Sequence, residues 1–362
     1  MKVGIITIFK SINYGAVLQA TALNNVIRNM GYDAEVINYL SPNHGKMRIF
    51  RTTSNPFIIA YRVSNLPLEM ILRKKFSKFR EDYLKVSEKE YVSSEQIKAD
   101  LGNWDKVICG SDQIWNLPSV GNDTTFMLDF IEDSSKKIAY APSIGLSKIP
   151  DELKDIYAKN LRSFKWLSVR EKTGADLIKD VSGLTAQVVL DPTLLLNKEE
   201  WLKFSSEINY KEPFIFVYTV SDTEKIWQTV EKIKKKTGYK VITANRGYKS
   251  MYKSGTTNLL SPGEFISYMS KAQIVVTNSF HGTVFAINFN KNLFVSITKN
   301  SGANVSSRIT DIMEECGLTN RIIENSPNVT DILDMPDFSV ANSFLDKGRK
   351  NALSYLRQSI ES

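Results

Sequence analysis

Short apolar runs recur along the chain, each followed by a polar or glycine-containing turn and then by apolar positions at three- and four-residue spacing. The first run, 3–9, reads as a buried strand. Val17, Leu18, Ala22, Leu23, Val26 and Ile27 then trace one face of a helix that stops at Gly31, and 34–39 returns as a strand. That alternation predicts a βαβ unit. Further strands are predicted at 104–109, 126–130, 137–140, 166–169 and 188–191, with helices over 151–164 and from Arg170. A polar, helix-like stretch at 197–212 reads as a linker. The rhythm then restarts with strands at 213–220, 239–244, 273–276 and 293–297 and helices at 226–238, 262–269, from Val284, and at 306–316. Ser261 is a good N-cap before Pro262, and Gly317 a good C-cap.

This pattern predicts an α/β protein of two consecutive open sheets facing a cleft. The first domain spans 1–196, with a basic amphipathic insertion near 46–85. The second spans 213–335, and a terminal helix at 339–360 packs back across the domains. In open parallel sheets ligands gather where strands end and helices begin, so polar residues at strand ends are the places to look for chemistry.

Composition narrows the class. The 362 residues fit two domains better than one, and 42% hydrophobic with 24% charged content is ordinary for a globular chain. Two distant cysteines, Cys109 and Cys316, give neither a disulfide framework nor a metal-type spacing. The start, MKVGIITIF, enters a strand directly and lacks the features of a signal peptide. No run approaches the roughly 20 apolar residues that span a bilayer, so the expected location is cytoplasmic. The net charge of +8 is concentrated: 46–85 carries ten Lys/Arg against three acidic residues, or +7, leaving +1 elsewhere. Within it Leu68, Ile71, Leu72, Phe76 and Phe79 share a helical face, with Arg73, Lys74, Lys75, Lys78 and Arg80 largely off it. Such a helix either packs on its own domain or lies on an anionic membrane. No nucleic-acid module accompanies it.

His281, one of two histidines, follows a strand end at Thr277-Asn278-Ser279. It suits general acid or base work near neutral pH, and the amides from Ser279 through Gly282 and Thr283 face an anion if they open a helix. The alternative is a histidine that only bonds its turn. Arg170 and Arg308 open helices, where a guanidinium grips carboxylate or phosphate, though a lone surface Arg is by default a salt-bridge residue. Ser111 and Asp112 close the strand at 104–109, where Asp is a base or simply a turn former. Asn13-Tyr14-Gly15 has one glycine where a dinucleotide fingerprint needs three. No nucleophile elbow, P-loop, paired-carboxylate or metal signature is present. Residue by residue, the chain stops at an anion-friendly cleft with one well-placed histidine.

Several segments taken together in order resemble the polysaccharide pyruvyl transferase family: Asn13-Tyr-Gly-Ala-Val-Leu-Gln19, Gly110-Ser-Asp-Gln-Ile-Trp115, Ala141-Pro-Ser-Ile-Gly145, Ser168-Val-Arg-Glu171, Leu190-Asp-Pro192 and Thr277-Asn-Ser-Phe-His-Gly282. The resemblance implies twin Rossmann-like halves like those of GT-B glycosyltransferases. It implies transfer of the enolpyruvyl group of phosphoenolpyruvate to sugar hydroxyls, forming a ketal and releasing phosphate, with no cofactor and no metal. It makes His281 the general acid and Asp112 a base for the attacking hydroxyl. Arg170 and Arg308, with Ser279, Gly282 and Thr283, would hold phosphoenolpyruvate, while Asn13, Tyr14, Gly15 and Ser111 would face the acceptor. Several members have Arg-Leu-His where this chain has Ser279-Phe280-His281, so Arg308 or Arg246 would supply the missing charge. The acceptor implied is a sugar, galactose for example, on a polyprenyl diphosphate or a nucleotide. The first of these fits an anionic membrane surface. The rival readings are a nucleotide-sugar glycosyltransferase on the same architecture and a non-catalytic sugar- or anion-binding protein.

Overall fold

A computed structural model describes residues 1–42, 63–221, 223–244, 259–297, 305–325 and 332–362. Arg246 and the part of the basic segment before residue 63 lie outside them.

Seven strands form the first sheet: β1 (Lys2–Ile6), β2 (Asp33–Tyr39), β3 (Val86–Tyr91), β4 (Lys106–Cys109), β5 (Lys137–Ala139), β6 (Trp166–Val169) and β7 (Gln187–Val188). Their order is β3-β2-β1-β4-β5-β6-β7, and every pairing is parallel. The second sheet has β8 (Phe214–Tyr218), β9 (Lys240–Thr243), β10 (Ile274–Thr277) and β11 (Asn292–Val295) in the order β11-β10-β8-β9, also all parallel. The expectation of an α/β fold with two open parallel sheets is met.

The helices that matter for the site are α1 (Tyr14–Asn29), α2 (Leu66–Tyr83), α3 (Lys154–Leu161), α4 (Lys172–Ser182), α5 (Glu224–Thr237), α6 (Pro262–Lys271), α7 (Phe280–Asn288), α8 (Val305–Glu315) and α9 (Ser339–Glu361). Chain direction across the first sheet reverses between β1 and β4, and across the second between β8 and β10. Crevices form at such switch points. Helix α1 leaves the first switch point and α7 the second, and their N-termini meet.

Local chemistry explains both helix starts. The Asn13 carboxamide accepts the Ala16 amide at the head of α1, and Ser279 Oγ accepts the Gly282 amide at the head of α7. Helix α7 begins at Phe280, four residues before the apolar segment that predicts it, so His281 lies in its first turn.

One expected strand is corrected, one strand was missed, and one of the two readings of the basic helix is met. Residues 126–130 are the end of a 3-10 helix, Thr124–Met127, and the turn after it, with Leu128 at φ 55°, not a strand. Phe126, Met127 and Leu128 are apolar because they fill the core, not because they pair. Strand β3 was not expected, because its alternating polar sequence VSEKEY leaves only Ser87 and Tyr91 buried. The apolar face of α2 is not available to a membrane: Leu72, Phe76 and Phe79 are buried inside the protein, and Lys75 pairs with Glu264 of α6. Arg73 pairs with Glu69 and Lys78 with Asp82 along the helix. Ile71, expected on that face, lies at its edge and is exposed, as is Met70.

One apolar core runs through both halves. Tyr14 is its hinge point: buried, it stacks on Phe265 at 4.5 Å, meets Phe76 and Tyr218, and donates its hydroxyl to the Leu260 carbonyl. Helix α9 ties the halves from behind. Arg349 donates to the Leu194 carbonyl and to Asn288 Oδ1, and Tyr355 donates to the Ala139 carbonyl.

Tyr14→Ala is expected to lower the unfolding free energy by about 3–5 kcal/mol through the cavity left by the ring. Tyr14→Phe should lower it by about 1 kcal/mol through the lost hydroxyl bond. Urea denaturation followed by tryptophan fluorescence measures both. Equal losses for the two variants would show that the ring is not a packed anchor.

Candidate functional site

The turns after β1, β4, β5, β6 and β10 converge on Asp191, a fully buried carboxylate just after β7. Its Oδ1 accepts the amide and hydroxyl of Thr193, which fixes the turn. Its Oδ2 accepts Arg170 Nη1 at 2.8 Å and Ser111 Oγ at 3.2 Å, and lies 3.9 Å from His281 Nε2. Gln19, buried in α1, joins the same network. It accepts the Ser111 amide and donates to Thr7 Oγ1. Asp191 thus ties parts of the first sheet together beside one histidine of the second, whose Nε2 has no hydrogen-bond partner among the described residues.

Charge states follow from burial set against neighbours. Burial opposes the charge on Asp191, but Arg170 and then His281 outweigh it and hold the carboxyl below its usual range. Arg170 resists the same penalty: Asp191, Glu171 and Asp112 keep its guanidinium above its usual value. Arg308 forms no ion pair among the described residues, although Glu171, Asp112 and Asp191 act on its charge. Burial, with Arg170 adding to it, pushes its pKa down to about 10. For His281 burial dominates and lowers the pKa, although Asp191 and Asp112 pull the other way. The imidazole is therefore neutral at pH 7.

Phe280 lies between the two arginines, with Arg170 4.5 Å and Arg308 5.9 Å from its ring centroid. Cation–π attraction in a desolvated site holds both guanidiniums near one ring. Three of their nitrogens, Arg170 Nε and Nη2 and Arg308 Nε, are buried with no hydrogen-bond partner among the described residues. Glu171 Oε2 lies 3.6 Å from Arg170 Nε, too far for a hydrogen bond. Arg170, Asp191, Phe280, Arg308, Asp311 and Lys347 line a cavity of about 380 Å³. Glu171 and Glu315 also line it, but the cationic donors that lack acceptors among the described residues suit a small anion.

The residues read from the sequence separate into two sets. His281, Arg170, Arg308 and Asp112 come together: each of the other three acts on the charge of His281. Asp112 is partly exposed, in the left-handed region at φ 68°. Gly15 also joins them, as a contact. A Cβ there would lie 2.0 Å from His281 Nδ1, so only glycine lets α1 approach the imidazole. Asn13 is exposed, and its side chain caps α1.

Tyr14 and Ser111, expected to touch an acceptor, do not face the cleft. The Tyr14 ring and hydroxyl are engaged in the core between the halves. Ser111 is fully buried and donates to the Ala141 carbonyl and Asp191. Ser279, Gly282 and Thr283 build the start of α7: Ser279 caps it, Thr283 Oγ donates to the Ser279 carbonyl, and Gly282 packs on Thr277. In the structure their work is to aim His281.

Asp191, Gln19 and Phe280 are site residues that the sequence reading did not single out. An aspartate before proline reads as a turn former, and only its place in an ordered set of motifs marks it.

Asp191→Asn should cost about 3–5 kcal/mol of stability, because it leaves Arg170 buried without its counter-ion. The depressed carboxyl makes this contribution present above the unfolded value, ~3.9, and lost as pH falls through the lower folded value. Gly15→Ala should cost about 1–3 kcal/mol by overpacking against the imidazole. Denaturant titrations at pH 7 and pH 3 measure these losses. An Asp191→Asn penalty no smaller at pH 3 than at pH 7 would contradict the charge argument.

Comparison of the fold finds UDP-GlcNAc 2-epimerase of Methanocaldococcus jannaschii in complex with UDP-GlcNAc and UDP, with a TM-score of 0.53 at 13% identity, covering 98% of this chain and 100% of that one. S. aureus MnaA with UDP gives 0.50 at 12% identity, covering 100% and 98%. These likenesses concern architecture, which is of the GT-B type. Comparison with curated proteins finds no match. A family model described as polysaccharide pyruvyl transferase matches residues 13–298, from the Asn13 cap through His281 to the end of the second sheet, and the chain belongs to that family.

Proposed function

We propose that the protein moves the enolpyruvyl group of phosphoenolpyruvate onto hydroxyls of a polysaccharide-precursor sugar, forming a pyruvate ketal and releasing phosphate. The observation that carries this reading is the set of three buried, unpartnered guanidinium nitrogens on Arg170 and Arg308 beside His281. Phosphoenolpyruvate bears a carboxylate and a phosphate close together, and arginine forks suit both.

His281 delivers a proton to the methylene carbon of the donor, which becomes the methyl group. Cationic character then develops at the adjacent carbon, where one sugar hydroxyl adds. Phosphate leaves that carbon and a second hydroxyl closes the ketal. One hydroxyl proton replaces the one given up by His281, and the other departs with phosphate. Asp112, near enough to act on the charges of His281, Arg170 and Arg308, takes the proton of the attacking hydroxyl. Arg170 and Arg308 hold the donor's charges, in place of the arginine that several family members carry where this chain has Ser279.

The lowered pKa of free His281 bears directly on this role, because an acid must be protonated in the species that reacts. A bound anionic donor favours the imidazolium and raises the pKa within the complex. The fall in kcat/KM on the alkaline side therefore has its midpoint below ~6.5, the ordinary histidine value, and the fall in kcat lies at higher pH. Coincident alkaline limbs would contradict the coupling.

Incubation with phosphoenolpyruvate and a galactose-containing acceptor should release phosphate and add mass to the sugar. His281→Ala should lose at least ~100-fold in rate. Product from a nucleotide sugar, with none from phosphoenolpyruvate, would replace this reading by glycosyl transfer. Unchanged activity in His281→Ala would remove the histidine from the chemistry.

The acceptor's carrier is a polyprenyl diphosphate or a nucleotide. No described helix is long and apolar enough to cross a membrane. A lipid-linked acceptor would be met through the exposed side of α2, with Met70, Ile71, Lys74 and Lys78. Lys74→Gln with Lys78→Gln should then weaken binding to anionic vesicles, and unchanged binding would remove the membrane contact.

A further inference from the structure

A second polar cavity lies away from His281, where β1, β2 and β3 end under α2. It measures about 540 Å³ and is lined by Lys10, Asn38, Arg73, Arg80, Glu81 and Glu90, among others. A smaller one of about 290 Å³ adjoins it, sharing Lys10, Arg73, Ser77 and Arg80 and adding Lys74 and Ile12. Most of its charges are already matched. Lys10 pairs with Glu90 at 2.5 Å, Arg73 pairs with Glu69 at 2.7 Å, and Glu81 accepts the Ser77 hydroxyl.

Two cations have no ion pair among the described residues: Lys74, which is exposed, and Arg80, which is half-buried. Arg80 Nη1 is buried with no hydrogen-bond partner among the described residues. Burial lowers its pKa; Glu81 opposes this and Arg73 reinforces it. The Asn38 carboxamide oxygen, on the same wall, is also buried and unpartnered. A half-buried cation without an anion beside an open amide suits a ligand that carries phosphate next to hydroxyl groups.

The position relative to His281 is set by one loop. Lys10 and Ile12 line the cavities, and Gly15, five residues on from Lys10, touches the His281 ring. A chain spans at most ~3.6 Å per residue, so the two points lie within about 18 Å, the reach of a short oligosaccharide.

We propose that the cavity at Lys10, Arg73 and Arg80 is the subsite for the diphosphate that carries the sugar acceptor, with Arg80 as its principal ligand and Asn38 bonding a neighbouring hydroxyl. This rests on the pyruvyl-transfer reading for the identity of the sugar, but not for the presence of a diphosphate site. The distance from His281 lets the carrier stay anchored while the sugar reaches the donor.

The test is calorimetric titration of the full-length protein with inorganic pyrophosphate. Arg80→Met should weaken binding by about tenfold to a hundredfold, the usual cost of a lost charge-assisted hydrogen bond. Lys10→Met, on a separate element, should weaken it in the same direction and keeps the test decisive if the Arg80 variant folds poorly. Lys235→Met, on the exposed side of α5 and far from both cavities in sequence, should leave it unchanged. Equal pyrophosphate binding by Arg80→Met and the native protein would overturn the proposal, as would its loss in Arg308→Met, which would place the anion in the donor pocket. Competition with UDP and with farnesyl diphosphate then identifies the carrier as nucleotide or prenyl. Displacement by neither would overturn the carrier assignment. Pyrophosphate binding is read without turnover, so Arg80-dependent binding in a protein that transfers no pyruvyl group would sink the pyruvyl reading alone.

Discussion

The Asp191–Arg170 ion pair is the constraint on which the site depends. Both side chains are almost completely withdrawn from water, and burying two charges is costly unless geometry and hydrogen bonds compensate. Here they do: Thr193, Ser111 and Arg170 satisfy the carboxylate from three sides. Because each partner comes from a different strand end, the pair holds those turns in register. His281 then enters from the other sheet against a carboxylate that is already fixed. Neither half of the protein has this arrangement by itself.

The same pair explains why the second arginine matters. Arg170 is neutralised where it stands, whereas Arg308 forms no ion pair among the described residues and has its pKa depressed by burial and by Arg170, more than Glu171, Asp112 and Asp191 offset. Phe280 keeps the two guanidiniums close to one ring despite their repulsion. A site that holds one matched and one unmatched cation around a neutral histidine is poised for an anion. The anion would relieve Arg308 and, by the same field, favour the protonated imidazole. On the proposed reading, donor binding and acid formation would then be one event.

Much of this architecture was legible in the chain. Buried parallel strands are continuous apolar runs, so β1, β4, β6, β8 and β10 stand out, and the strand-end rule leads directly to His281. The misses share a cause: burial and pairing are not local properties. Residues 126–130 are as apolar as a strand but fold as a turn in the core. Strand β3 is largely polar because one edge of the sheet is solvated. The apolar stripe on α2 looks the same whether it meets a membrane or, as here, α1 and α6. Asp191 is a turn residue by its neighbours and a charge hub only through Arg170, Ser111 and His281, which are distant in sequence. Tyr14 and Ser111 sit at the right strand ends but point into the core, which no spacing reveals.

The central claim is that His281 is held neutral by burial and becomes charged when an anionic donor binds. With only two histidines in the chain, carbon-labelled imidazole NMR resolves it, and His281→Gln assigns the signal. The account predicts a titration midpoint below the ordinary histidine value in the free protein, and a rise above it when phosphoenolpyruvate is bound. A midpoint that stays where it is on donor binding, or falls, would contradict it.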